Sequence, residues 1–237
     1  MKYGHYSDNQ FPTFNHKDYK TNLHGFRCPE FSPLPDGGKN IAVLGCSHTF
    51  GEGLEQPEIW ISQLEKLLNN KRLRFWNLAQ PGASPDMCVR MLYASEKVLF
   101  PKIIIVCWPA WSRRERLDIY PISITSDDNS LKYETSVTDQ NNFLKCVFQV
   151  EKFAEYNNAV VFHCFAQDIY MIPDTRYVLD DSSLRSCWPV WDNHHGADAR
   201  RTIEEKPDLA RDGIHYGTKH HRTFAENIYN RFSSKIK

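Results

Sequence analysis

The sequence predicts an α/β fold, a three-layer α/β/α sandwich around a mainly parallel sheet, and three observations carry that prediction. Short apolar runs bounded by turn residues recur along the chain, and runs of that length read as buried parallel strands. Segments with helical apolar period lie between them, so the strands join by right-handed crossovers that cover both faces of the sheet. No linker rich in Gly, Ser or Pro interrupts the 237 residues, which favours one body.

Residues 1–38 mix aromatics, prolines and polar residues without either period. They are expected to form an extended arm packed on the body through side chains such as Phe11, Phe14, Phe26 and Phe31, since disordered segments are poor in aromatics. Residues 39–237 are expected to form a single domain. Its first strand is Ile41 to Leu44, closed by Gly45-Cys46-Ser47. Ile59, Leu64, Leu67 and Leu68 make a helical stripe, with Lys71-Arg72 near its end to suit the helix dipole. Leu73 to Leu78 reads as a second strand, Met87 to Val98 as a helix, and Lys102 to Trp108 as a third strand with a β-branched centre. Residues 109–137 break the alternation and read as an inserted loop region over the strand ends. Helical period returns from Phe143 to Tyr156, Ala159 to Phe165 is a fourth strand, and Thr218 to Phe232 is a closing helix. Residues 166–207 are irregular, with Cys187 to Trp191 a candidate fifth strand. No repeat or low-complexity segment appears.

The charge balance implies no global attraction to polyanions. Lys plus Arg and Asp plus Glu each number 29, so nothing draws the whole molecule to nucleic acid or an anionic membrane. Arg113, Arg114 and Arg116 form a basic group too small to outweigh that balance. No apolar run approaches the ~20 residues of a spanning helix, and the polar N-terminus does not read as a signal peptide. The seven cysteines are irregularly spaced, and Cys46, Cys107, Cys146 and Cys164 lie in apolar segments. They read as small core residues in a reducing compartment, so a cytoplasmic protein is expected.

Three loops carry the chemistry. The first strand stops at Ser47, at the carboxyl end of a parallel sheet where such folds place their ligands. A serine there is commonly a helix cap. It becomes a nucleophile only where a base takes its proton, and an imidazole does so best when a carboxylate fixes its tautomer. Asp212 and His215 stand three residues apart, a spacing that puts both on one side of a turn. A bare turn at Asp212-Gly213 is the plainer alternative. Gly82, in the loop after the second strand, would let its amide approach an oxyanion, with the amide of Ser47 as second donor. His194-His195, beside Asp192, and His220-His221 lack the helical spacing of a two-ligand metal site, and the Ser47 loop lacks a phosphate-binding lysine.

These residues resemble the SGNH hydrolase superfamily, the GDSL esterases and lipases. Gly45-Cys46-Ser47-His48-Thr49-Phe50-Gly51 matches its first block, Asn77 to Gly82 its glycine block, and Asp212-Gly213-Ile214-His215 its last, in the family's order. The resemblance implies a flavodoxin-like sheet and a serine esterase with Ser47, Asp212 and His215 as its triad. It implies no metal or organic cofactor, and small acyl esters or acylated carbohydrates as substrates. One block departs: a Gly-x-Asn motif is expected after the third strand, where this chain reads Cys107-Trp108-Pro109-Ala110-Trp111-Ser112-Arg113. Losing one oxyanion donor costs about 2.7–4 kcal/mol of transition-state stabilisation, and Ser112 or Arg113 is the candidate replacement. His48, Trp108 and Trp111, with Tyr120, are expected to line the substrate cleft. An acyltransferase on the same site and a degenerate carbohydrate-binding module are the alternatives.

Overall fold

Among the described residues four parallel strands form the middle layer, in the spatial order Leu73–Asn77, Lys39–Gly45, Ile103–Trp108 and Val160–Phe165. The computed structural model describes residues 16, 18–32, 34, 36–116, 122–124, 136–165 and 208–236. In chain order the elements are β1 (Lys39–Gly45), α1 (Ser47–Phe50), a 3-10 turn (Gln56–Glu58), α2 (Trp60–Leu68), β2 (Leu73–Asn77) and α3 (Pro85–Leu99). There follow β3 (Ile103–Trp108), β4 (Arg114–Arg116), β5 (Ile122–Ile124), α4 (Ser136–Asn157), β6 (Val160–Phe165) and α5 (Thr218–Ile236).

The predicted three-layer sandwich is the fold. Helices α2 and α5 pack together on one face of the sheet, and α3 and α4 on the other. Every residue of β3 is buried, as a strand covered on both faces requires. The register pairs Val106 with His163 and Trp108 with Phe165, and successive side chains alternate between faces. Trp108, His163 and Phe165 therefore share the face of α4, where Phe143 meets the Trp108 ring at 5.3 Å. Phe162 points the other way, onto Phe232 of α5 at 4.4 Å. Trp60 of α2 and Phe224 of α5 complete that layer at 5.0 Å.

Two expectations change. Helix α2 stops at Leu68, where Asn69 takes a left-handed conformation with φ 43°, so Lys71-Arg72 lie beyond it and Lys66 is the basic residue of its last turn. The segment 109–137 is not simply loop: β4 and β5 pair antiparallel within it, and α4 already begins at Ser136. Charged pairs rather than apolar alternation hold β4. Glu115 accepts from Nε and Nη2 of Arg90 on α3, and Arg114 lies 2.7 Å from Asp139 of α4.

Ahead of β1, Phe26 is fully buried and Phe31 packs edge-on against Trp76 at 5.4 Å. Phe11, Phe14, Tyr120, residues 187–191 and residues 192–195 lie outside the described residues. The described cysteines are free, and burial pushes the thiols of Cys28 and Cys146 up to about 12. Among the described residues no helix is long and apolar enough to cross a membrane, and no His/Cys/Asp/Glu cluster could hold a metal ion.

Candidate active site

Ser47 opens α1 directly after β1, a reversal that depends on Gly45. A Cβ there would overlap the Thr49 side chain and come within 3.0 Å of the Cys107 carbonyl. The Cys46 carbonyl accepts from the amides of Thr49 and Phe50, at 3.0 and 2.9 Å, and closes the single turn. As a first-turn residue, Ser47 has an amide that no intrahelical carbonyl can satisfy. The turn ends at Gly51, whose φ of 87° suits glycine and whose amide donates to Ser47 O at 2.8 Å.

The Gly82 loop is stitched to that turn. Asn77 Nδ2 donates to Thr49 O at 3.1 Å, and the Gln80 amide donates to Gly45 O at 3.2 Å. Gly82 itself has φ 71° and faces open space where a side chain would stand. Ser84 then caps α3 by accepting from the Met87 amide, with Pro85 at the first helical position.

Asp212 and His215 form the pair that their spacing suggests. Asp212 Oδ1 accepts from the amides of Ile214 and His215 at 2.9 and 3.0 Å, and Oδ2 lies 2.7 Å from His215 Nδ1. Burial pushes the Asp212 carboxyl up, but the two amides and the imidazole together hold it below the usual carboxylate range. The imidazole is thereby oriented, with Nδ1 as the nitrogen that donates to Asp212. His48, 8% exposed, sets its ring edge-on to His215 at 5.1 Å and beside Tyr216 at 5.4 Å.

Two residues that spacing did not single out join the loops. A Cβ on Gly53 would meet Ala210 Cβ at 2.7 Å and Asp212 Cγ at 2.9 Å, so a side chain there would push the Asp212–His215 loop away. Glu52, its neighbour, sets Oε2 at 3.2 Å from His215 Nε2. Among the described residues no hydrogen bond joins Ser47 Oγ to His215; the nitrogen that a serine would use faces Glu52 instead. Arg211 fastens the same loops, donating its amide to Gly53 O at 3.1 Å and its guanidinium to both Glu58 oxygens. The sequence signal was the Gly51-Glu52-Gly53 triplet, which marks a tight loop but not the direction of its carboxylate.

The divergent block packs partly into the core and partly against the Gly82 loop. Trp108 does not line a cleft: it is fully buried, stacked on His163, and its indole N–H donates to His163 Nδ1 at 2.9 Å. Its place on a strand covered on both faces turns it into the core. Trp111 is half-buried against that core, and Ser112 is half-buried in the following turn. Arg113 reaches the Gly82 loop, its Nη1 lying 3.4 Å from the Ala83 carbonyl.

No family model and no curated protein matches the sequence. Solved structures do share its fold. A member of the lipolytic G-D-S-L protein family from Veillonella parvula matches with TM-score 0.50 at 12% identity, covering 83% of this chain and 99% of that one. An alpha/beta hydrolase from the metagenome of Lake Arreo, Spain, matches with TM-score 0.51 at 15% identity, over 84% and 97%. An acetyl xylan esterase matches with TM-score 0.50 at 14% identity, over 81% and 98%. The chain thus has the α/β/α fold that these lipolytic and esterase structures share.

Proposed function

We propose that the chain is an SGNH-type serine hydrolase cleaving small acyl esters, such as short-chain esters or O-acetyl groups on carbohydrate. One observation carries the reading: the Asp212–His215 pair at 2.7 Å, docked through Gly53 against the loop that follows Ser47. Fold likeness to an acetyl xylan esterase supports an acetyl ester as substrate. In this reading His215 Nε2 takes the Ser47 hydroxyl proton as Oγ attacks the ester carbonyl carbon. The carbonyl electrons move onto oxygen, facing the amides of Ser47 and Gly82, with Arg113 in the place of the absent Asn. Collapse of the intermediate expels the alcohol oxygen, which takes the proton from Nε2; water repeats the sequence on the acyl-serine. Asp212 stabilises the imidazolium formed on the way. His48 and Trp111 stand on the substrate side, and a cytoplasmic setting suits the free thiols.

Hydrolysis of short-chain nitrophenyl esters tests the reading. Ser47→Ala should lose about 10⁴-fold or more in kcat while staying folded, and a phosphonate should label Ser47 in the wild type. Equal rates in both proteins with no adduct would refute it. A binding module on a hydrolase fold is the second reading, favoured by the pairing of His215 Nε2 with Glu52 rather than Ser47. Ligand retention by Ser47→Ala without turnover by the wild type would select it.

A further inference from the structure

We infer that Glu52 is a further residue of the acid–base site, whose carboxylate competes with Ser47 for His215 Nε2 and is satisfied there only while that nitrogen carries a proton. The inference rests on the hydrolase reading for the role of Nε2, and on geometry for the rest. Nδ1 of His215 lies 2.7 Å from Asp212 Oδ2, and Nε2 lies 3.2 Å from Glu52 Oε2. A neutral imidazole carries one N–H and one lone pair, so only one of its nitrogens can face a carboxylate favourably. With an anionic oxygen at each nitrogen, both contacts are satisfied together by the imidazolium, which has no lone pair to receive a serine proton. The side chains of His215, Glu52 and Asp212 are 17%, 29% and 30% exposed, so solvent screens the carboxylates only partly.

The surrounding groups do not compensate. His215 is faced by Asp212 from its own loop, by Glu52 from the loop after α1, by the His48 ring from α1, and more distantly by His221 from α5. Only the two carboxylates can carry negative charge. Glu52 is also placed to move by side-chain rotation alone. Its backbone is pinned, with its amide on Ser47 O at 3.1 Å, Gly51 O held by Arg27 and the Gly53 amide held by the Tyr19 hydroxyl. Loss of the Nε2 proton removes what holds the carboxylate there, and rotation then clears Nε2 for Ser47. Deprotonation of His215 and release of Glu52 are thus one coupled step, the proton leaving to solvent.

Glu52→Gln removes one of the two charges while keeping the side-chain length, so that only Asp212 remains as an anionic partner of the ring. The experiment is kcat/KM on a short-chain nitrophenyl ester from pH 5 to 9 for wild type and variant, with ¹⁵N NMR of the His215 ring in both. At pH 6 the variant should exceed the wild type by about tenfold, the gap closing as the pH rises, and its ring should lose the second N–H at a lower pH than the wild type's. A rate ratio constant across pH, or identical ring titrations, would overturn the inference. Where wild type turns over no ester and a phosphonate leaves Ser47 unlabelled, the hydrolase reading fails, and the NMR comparison still decides Glu52. Should the variant fail to fold, wild-type ring spectra decide alone: two ring N–H groups at about pH 7.5, where an ordinary imidazole has one, support the pairing, and one overturns it.

Discussion

Gly53 is the residue on which the candidate site turns, because it sets the separation of two loops that the sequence keeps far apart. Its φ of 74° and the absence of room for a Cβ act together. Gly53→Ala therefore adds backbone strain of roughly 1–2 kcal/mol and forces Asp212 outward. The expected result is a lower midpoint in urea and, under the proposed mechanism, a fall in kcat/KM of about tenfold or more on a nitrophenyl ester, since that mechanism makes small misplacements of the Asp212–His215 pair costly. Gly82→Ala makes the contrast at the level of stability. Its φ of 71° brings the same strain, but nothing stands within 4 Å of the new methyl, so urea titration should show the smaller loss. At this scale the Asp212–His215 contact was legible from a three-residue spacing, and the place of Ser47 directly after β1 from the end of an apolar run. Glu52 was not, since the aim of one carboxylate in a glycine loop leaves no periodic trace. Trp108 was misread because an aromatic at a strand end looks the same whether it turns to solvent or to core.

The turn that carries Ser47 is held from outside by the segment before β1. Arg27, only 4% exposed, donates to the carbonyls of Phe50, Gly51 and Leu54, while its guanidinium lies 4.6 Å over the Tyr19 ring. Burial lowers its pKa from the ordinary arginine value, which Tyr19 and the carboxylates of Glu55 and Glu58 partly offset. Arg27→Met keeps much of the volume but leaves three carbonyls at the end of α1 without this donor. A loss of about 2–4 kcal/mol in urea unfolding is expected, with kcat/KM falling as the Glu52–Gly53 loop loosens. An unchanged unfolding midpoint would show that water satisfies those carbonyls equally well. The main strands and helices were readable because apolar period reports burial directly. Strand β4 was not: Arg114-Glu115-Arg116 has no apolar face, and its pairing with β5 is backed by ion pairs to α3 and α4 that only the folded chain brings together. The role of Arg27 was hidden for the same reason, its acceptors lying 23 to 27 residues away.

At the scale of the whole molecule, one buried histidine ties the α2–α5 layer to pH. His221 of α5 is 1% exposed, and its Nδ1 accepts from the Trp60 amide at the start of α2, at 3.0 Å. Ile59 ahead of that helix offers no side-chain cap, so the imidazole of another helix fills the role. Acceptance requires a lone pair on Nδ1, and burial, aided by the neighbouring His220, lowers the His221 pKa to about 3. In the unfolded chain the same group takes up a proton near pH 6.5. Between these limits unfolding binds one additional proton, so stability rises with pH across that window: it is fully present above about 6.5 and lost progressively as the pH falls toward 3. His221→Asn supplies an amide carbonyl to the Trp60 N–H and cannot titrate. Other groups, Asp212 among them, also weaken the fold in acid, so the informative quantity is the difference between the two proteins. From pH 6 to pH 4, urea titrations should show the unfolding equilibrium of wild type moving toward the unfolded state, relative to the variant, by about tenfold per pH unit. Parallel curves would mean that His221 keeps its proton in the folded protein, which would be incompatible with its accepting the Trp60 hydrogen bond through Nδ1.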